Sequence, residues 1–111
     1  MESSSKPRVI QSYEKLSKEI QEQIKLYYSE GYIDNLIEFR NHNNELVSAL
    51  PFETDEKIYM VRMSIRKAQE LIEEDSDFDD DGNLLESKRE RYEDKYSDVD
   101  YLFSDEDDLD G

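Results

Sequence analysis

Apolar residues recur at helical spacing in two parts of the chain. The first stripe contains Leu16, Ile20, Ile24, Tyr27 and Tyr28. Ser17 is a preferred helix N-cap and Gly31 stands where helices commonly end, so the pattern predicts an amphipathic helix over residues 17–29. The second stripe contains Ile65, Ala68, Leu71 and Ile72. It follows Ser64, another preferred cap, and predicts a second helix.

Three stretches between these helices have the β-branched and aromatic content of strands, at 36–40, 45–50 and 57–63. The first two flank the turn 41–44, whose asparagines tolerate left-handed backbone angles. The connection to the third is short, which favours an antiparallel neighbour. The expected fold is therefore α+β, a three-stranded antiparallel meander flanked by helices in the order α-β-β-β-α. Residues 7–10 could add a short edge segment, which four residues leave open.

Charge divides the chain into two unequal parts. Residues 1–74 carry 14 acidic and 10 basic side chains, a net charge of −4, while residues 75–111 carry 16 acidic and 4 basic ones, a net charge of −12. A stretch of mutually repelling carboxylates with few apolar residues buries too little to offset the entropy of ordering it. We therefore expect an α+β domain over 1–74 and an acidic tail over 75–111, partly helical or disordered, with a possible helix at 85–96.

The remaining composition narrows the classes of function. The absence of cysteine excludes disulfides and thiolate chemistry, and no apolar run resembles a signal peptide or a membrane span, so we expect a cytoplasmic protein. There is no Gly-rich phosphate loop, nucleophile elbow or pair of metal-binding histidines, and the single His42 lies in a polar turn. These observations favour a protein that binds rather than catalyses.

Several segments of the first 63 residues resemble a known group of proteins. They are 7–10, 13–16, 22–26, 47–54 and 59–63, and an Asp-rich stretch follows them. The likeness covers most of the predicted folded part and is to small acidic uncharacterised proteins of Bacteroidetes-type bacteria. That resemblance implies a cytoplasmic bacterial protein with an acidic tail, and it brings no site residue with it.

The Asp-rich stretch at 77–84 is similar to the opening of a calcium-binding EF-hand loop. Asp77, Asp79 and Asp81 alternate and Gly82 follows, which is the ligand and turn pattern of such loops. Lys88 stands at the twelfth position, where a bidentate Glu is expected. The alternative is a solvated linker beside a helix N-terminus. A calcium site using these three aspartates is therefore the second hypothesis for function.

A cluster of Arg62, Arg66 and Lys67 near the start of the second predicted helix gives a passing likeness to double-stranded-RNA-binding domains. Such domains need a basic face for phosphates, and the surrounding residues are net negative. We expect these cations to pair with nearby glutamates, and we expect no direct binding of nucleic acid.

The tail supports the leading hypothesis. Its carboxylates can engage a basic protein surface, including one that otherwise binds nucleic acid, while interleaved apolar residues fill a groove on that partner. The candidate anchors are Tyr92, Tyr96, Val99, Tyr101, Leu102 and Phe103. The alternative is a tail that only maintains solubility.

Overall fold

The computed structural model describes residues 6–102 of the chain. Within that range four strands form one sheet: β1 (Arg8–Ser12), β2 (Ile37–Arg40), β3 (Leu46–Glu53) and β4 (Ile58–Arg62). Three α-helices accompany the sheet: α1 (Lys18–Tyr27), α2 (Ile65–Glu73) and α3 (Glu86–Lys95). The α+β class predicted from the sequence is confirmed.

The sheet is mixed, with the spatial order β1-β4-β3-β2. Strands β2, β3 and β4 form the expected antiparallel meander, but β1 pairs in parallel with β4, with Ile10 opposite Met60. The three predicted strands are present, but the sheet has a fourth, and the segment 7–10 that the sequence left open forms part of it. A parallel partner far along the chain leaves no local turn signal, so the sequence does not show which strand β1 would join.

The predicted helix caps and turn are confirmed at atomic detail. The hydroxyl of Ser17 accepts a hydrogen bond from the backbone N–H of Ile20 at 3.2 Å. The hydroxyl of Ser64 accepts one from the N–H of Lys67 at 3.0 Å. Between β2 and β3, Asn44 has a φ of 63°, the left-handed conformation that asparagine tolerates. Local chemistry thus fixes where α1, α2 and the hairpin begin or turn.

One hydrophobic core lies between the sheet and the helices, and it continues past the predicted boundary at Asp75. Its buried members are Tyr13, Leu16, Ile24, Leu26, Tyr32, Leu50, Phe52, Val61, Met63, Ala68, Phe78, Leu84, Tyr92, Tyr96 and Leu102. The last five lie beyond residue 75, so the proposed division into a domain 1–74 and a tail 75–111 does not separate two packed units. Five large apolar or aromatic side chains bury enough area to hold this acidic segment in place.

The predicted helix at 85–96 corresponds to α3, which packs against α1. Most of its side chains are charged and exposed, and it contributes to the core through Tyr92, with Tyr96 following at the helix end. These two rings are four residues apart and so share one face. Because its apolar face is so narrow, the hydropathy pattern of α3 gives little indication that the helix packs on the core.

Candidate interaction surface

The Asp-rich segment forms a tight turn fixed by its own side chains. The carboxylate of Asp79 accepts hydrogen bonds from the backbone N–H groups of Asp81 and Asn83, each at 2.9 Å. Phe78 and Leu84 form an isolated antiparallel bridge across the turn. Gly82 has a φ of 84°, a conformation that favours glycine. The turn therefore presents its carboxylates in a defined arrangement.

Asp77 points inward from this turn and is buried between α1 and α3. Its Oδ2 accepts hydrogen bonds from Lys25 Nζ at 3.0 Å and from the hydroxyl of Tyr92 at 2.7 Å. Lys25 also pairs with Asp75 at 2.7 Å, and Lys88 Nζ lies 3.7 Å from Asp77 Oδ1. The carboxylate thus joins three elements in one polar cluster that is largely withdrawn from water.

The fold stabilises the ionised forms of Asp77 and Lys25 and the neutral form of Tyr92. Burial alone would raise the pKa of Asp77, but hydrogen bonds from Tyr92 and Lys25 outweigh it and lower that pKa. Burial would likewise lower the pKa of Lys25, but its bonds to Asp75 and Asp77 outweigh burial and raise it. The pKa of Tyr92 is raised by burial and by its hydrogen bond to Asp77. At neutral pH the cluster holds a buried ion pair.

A second polar contact joins the end of α3 to α1. Glu22 Oε1 accepts hydrogen bonds from the hydroxyl of Tyr96 at 2.6 Å and from Lys95 Nζ at 2.8 Å. The hydroxyl of Tyr101 donates to Gln23 Oε1 at 2.6 Å. Burial raises the pKa of Glu22, but the bonds from Lys95 and Tyr96 outweigh it and lower that pKa. The sequence hinted at these roles only by placing Glu22 and Gln23 beside the apolar stripe of α1.

The structure does not bring the predicted calcium ligands together. Asp77 is turned into the protein and occupied by Lys25 and Tyr92, whereas Asp79 and Asp81 are exposed. Across residues 6–102 there is no group of three or more His, Cys, Asp or Glu side chains that could hold a metal ion. In this structure an ion pair already engages the first of the three aspartates, and calcium binding through Asp77, Asp79 and Asp81 stays a prediction.

Most of the predicted partner anchors are already packed within the fold. Tyr92, Tyr96 and Leu102 are buried core residues, and Val99 and Tyr101 are partly buried against the same core. In this structure these five side chains contact the protein's own interior, and their role as partner anchors stays a prediction. Phe103 lies outside the described residues.

An open cavity of about 440 Å³ lies beside the Asp-rich turn. Its carboxylates come from Glu30, Asp34, Glu73, Asp79, Asp80 and Asp81. Its apolar lining comes from Tyr32, Ile33, Ile72 and Phe78. Among the described residues that line this acidic cavity there is no lysine, arginine or histidine. Three separate chain segments build it, so sequence reasoning missed Glu30, Asp34 and Glu73.

The basic cluster pairs with nearby glutamates only in part. Arg66 lies 3.7 Å from Glu70, and Lys67 pairs with Glu14. Both cations are therefore engaged by carboxylates of this chain, while Arg62 is exposed on the sheet. His42 is exposed in the turn between β2 and β3.

No helix in the described part of the chain has the length and apolar character required to cross a membrane. Comparison with known protein families, with curated proteins and with solved structures finds no match.

Proposed function

We propose that this chain is a non-catalytic interaction protein that binds a basic surface of a protein partner. The observation that carries the proposal is the acidic cavity, which is lined by six acidic and four apolar residues with no cation among the described residues of its lining. Such a site is matched to cationic side chains, because a cleft lined by one sign of charge concentrates ligands of the opposite sign.

The lining of the acidic cavity suits lysine or arginine side chains in particular. Both residues have apolar stems that pack on apolar surface while the charged head stays at the polar rim. Ile72 and Phe78 supply apolar surface inside the cavity, and Asp79 and Asp80 supply carboxylates. Arginine in addition bonds a carboxylate through two parallel N–H groups. A basic loop or helix presenting two or three such side chains is the partner surface we propose.

The C-terminal residues 103–111 add attraction at longer range. They contain five acidic residues and no basic one. Charges of one sign steer an oppositely charged partner and raise its association rate, and salt reduces the effect. We propose that this segment attracts the partner and that the acidic cavity holds it. Phe103 stays a candidate anchor within the segment.

The wider setting belongs to the same proposal. We propose a cytoplasmic location, membership of the acidic Bacteroidetes-type proteins and a partner that itself binds nucleic acid. The lack of cysteine and the net charge of −16 support this setting. A protein this acidic would be repelled by nucleic acid and attracted to the basic proteins that bind it.

Two variants with the same loss of charge test the proposal. Proteins captured from native lysate on the full chain would be purified, and their binding to Asp79→Asn/Asp80→Asn/Asp81→Asn compared with Glu90→Gln/Glu93→Gln/Asp94→Asn. The second set alters three exposed acids of α3 outside the cavity lining. We expect at least a tenfold loss of affinity, about 1.4 kcal/mol, for the first variant and much less for the second.

A third variant, ending at residue 102, separates steering from holding. Its association rate should fall at low salt while its dissociation rate stays near that of the full chain. Equal losses of affinity for both triple variants would show that the interaction depends on net charge rather than on the acidic cavity. If no variant changed the affinity for any captured protein, the acidic residues would serve solubility only and the proposal would be abandoned.

A further inference from the structure

The face of the sheet turned away from the core is apolar. Strand residues alternate between the two faces of a sheet, and Leu50, Phe52 and Val61 point into the core. The alternate positions therefore form the opposite face, which we call the outer face. Its apolar members are Ile10, Ile37, Phe39, Val47, Ala49, Pro51, Ile58 and Met60.

The described helices all pack on the other side. Ile24 of α1, Ala68 of α2 and Tyr92 of α3 are buried in the one core that includes Val61. Val47, Ala49 and Met60 are buried too, yet they do not belong to that core cluster. When one face of a sheet is solvated, its residues are ordinarily polar, and this face departs from that pattern.

The apolar residues form a band across the whole width of the sheet. In the register of the strands, Ile10 stands opposite Met60, which stands opposite Pro51. One step along, Ala49 stands opposite Ile37. The two ends of the band, Ile10 and Ile37, are 48% and 41% exposed. Four strands about 4.8 Å apart make a band about 14 Å wide, enough to seat one α-helix of about 10 Å diameter.

The charges on the outer face are opposite in sign to those of the molecule. Arg8 and Arg62 occupy this face, both exposed, and neither lies within ion-pair distance of a carboxylate of the described residues. Glu53, on the same face, is paired with Lys6 at 2.7 Å. In a chain with 30 acidic and 14 basic residues, two arginines that pair with no carboxylate among residues 6–102 make that apolar face locally positive.

From this arrangement we propose that the outer face is a docking surface for an amphipathic helix of a partner protein, with acidic residues flanking its apolar stripe. The stripe packs on the band from Ile10 to Ile37, and the flanking carboxylates pair with Arg8 and Arg62. A second copy of the chain fits less well, because it brings a net charge of −16 and places like arginines against each other. The surface is separate from the acidic cavity and takes a ligand of opposite charge.

The test uses a synthetic helical peptide of about 18 residues, with leucines at every third or fourth position flanked by glutamates. A matched peptide carries lysines in place of the glutamates. Binding to the full chain is compared with that to Ile10→Ser/Ile37→Ser and to Arg8→Glu/Arg62→Glu. The control is Ile65→Ser, which removes an apolar side chain that is 59% exposed on α2.

The glutamate peptide should bind at least tenfold more tightly than the lysine peptide. Ile10→Ser/Ile37→Ser should reduce the affinity for the glutamate peptide at least tenfold. Arg8→Glu/Arg62→Glu should reverse the preference between the two peptides. Ile65→Ser should change neither the affinity nor the preference. Thermal unfolding of each variant verifies folding, and Ile10→Thr replaces the serine pair if that variant is unfolded.

Three results would overturn the proposal. The first is equal binding of both peptides, or no binding at about 1 mM, a free energy of about −4 kcal/mol. The second is a dimer of the full chain that Ile10→Ser/Ile37→Ser abolishes, which would identify a second copy as the occupant. The third is peptide binding that appears only when residues 103–111 are removed, which would identify the chain's own C-terminus as the occupant.

Discussion

At the scale of single residues, sequence patterns identified helix caps correctly and gave no sign of the buried polar contacts. Ser17 and Ser64 act through backbone groups three residues away, so their roles depend on local sequence alone. Asp77 instead meets Lys25 from 52 positions earlier in the chain and Tyr92 from 15 positions later. No spacing rule relates these three residues, which is why Asp77 was predicted as a metal ligand and Tyr92 as a partner anchor.

Replacing Asp77 by Asn should destabilise the protein in a manner that depends on pH. The change leaves Asp75 as the carboxylate that pairs with Lys25. We therefore expect the free energy of unfolding at pH 7 to fall by about 2 kcal/mol, less than the ~3–5 kcal/mol typical of removing one partner from a buried ion pair. Denaturant unfolding measures the difference. Asp81→Asn is the control, because it removes the same charge from an exposed position.

The sign of the pH dependence follows from the lowered pKa of Asp77 in the folded protein. A carboxylate of this kind stabilises the fold above its unfolded pKa, here 3.8, and that stability is lost as the pH falls through the lower folded value. The difference between the wild type and Asp77→Asn should therefore shrink below pH 3.8. A difference that stays constant down to pH 2.5 or so would show that the ion pair is not its source.

At the scale of elements, the success of prediction depended on how local each signal is. The hairpin of β2 and β3 and the start of α2 arise from residues adjacent in sequence, and both were predicted. The parallel pairing of β1 with β4 joins Arg8 to Ile58, and nothing between them marks the partner. Helix α3 was placed correctly, but the sequence left its packing open, because Tyr92 is held by a polar contact with Asp77 rather than by an apolar stripe.

The shared core changes the expected behaviour of a truncated chain. From the charge distribution alone, a fragment of residues 1–75 should fold by itself. The structure predicts the opposite, because that fragment loses Phe78, Leu84, Tyr92, Tyr96 and Leu102 from the core. Burial of even one such ring is worth about 2 kcal/mol, and a small domain has only ~5–15 kcal/mol of stability in all.

Calorimetry or thermal circular dichroism would decide between these two expectations. The fragment 1–75 should show no cooperative transition, while the matched fragment 1–102, which keeps every core residue named above, should unfold cooperatively. A cooperative transition for 1–75 near that of the full chain would show that α3 and the Asp-rich turn are accessory to the fold.

At the scale of the whole molecule, charge is arranged by surface rather than by chain segment. The sequence divided at Asp75 into a nearly balanced part and an acidic part, but in the fold Asp79, Asp80 and Asp81 join Glu30 and Glu73 around the acidic cavity. The outer face of the sheet, by contrast, carries Arg8 and Arg62. Composition alone gives the net charge, whereas the separation into an acidic side and a locally positive side depends on how the chain folds.

The excess of like charge predicts that salt stabilises this protein. The full chain has a net charge of −16, and the chain ending at residue 102 has lost five acidic and no basic residues, which leaves −11. Self-repulsion opposes the compact state and is screened as the Debye length falls from about 30 Å at 0.01 M salt to about 10 Å at 0.1 M. The buried pair of Lys25 and Asp77 is screened much less, so repulsion is the interaction that salt chiefly weakens.

Raising sodium chloride from about 0.01 M to 0.1 M should therefore raise the midpoint of thermal unfolding of both chains. The increase should be a few degrees larger for the full chain, since about 1 kcal/mol of stability corresponds to ~4–8 °C in a domain of this size. Comparing the two chains in the same buffers cancels the general effect of salt on apolar burial. Equal shifts would mean that residues 103–111 stay too far from the other carboxylates to repel them, and their charge would then act on a partner without a cost to the stability of the fold.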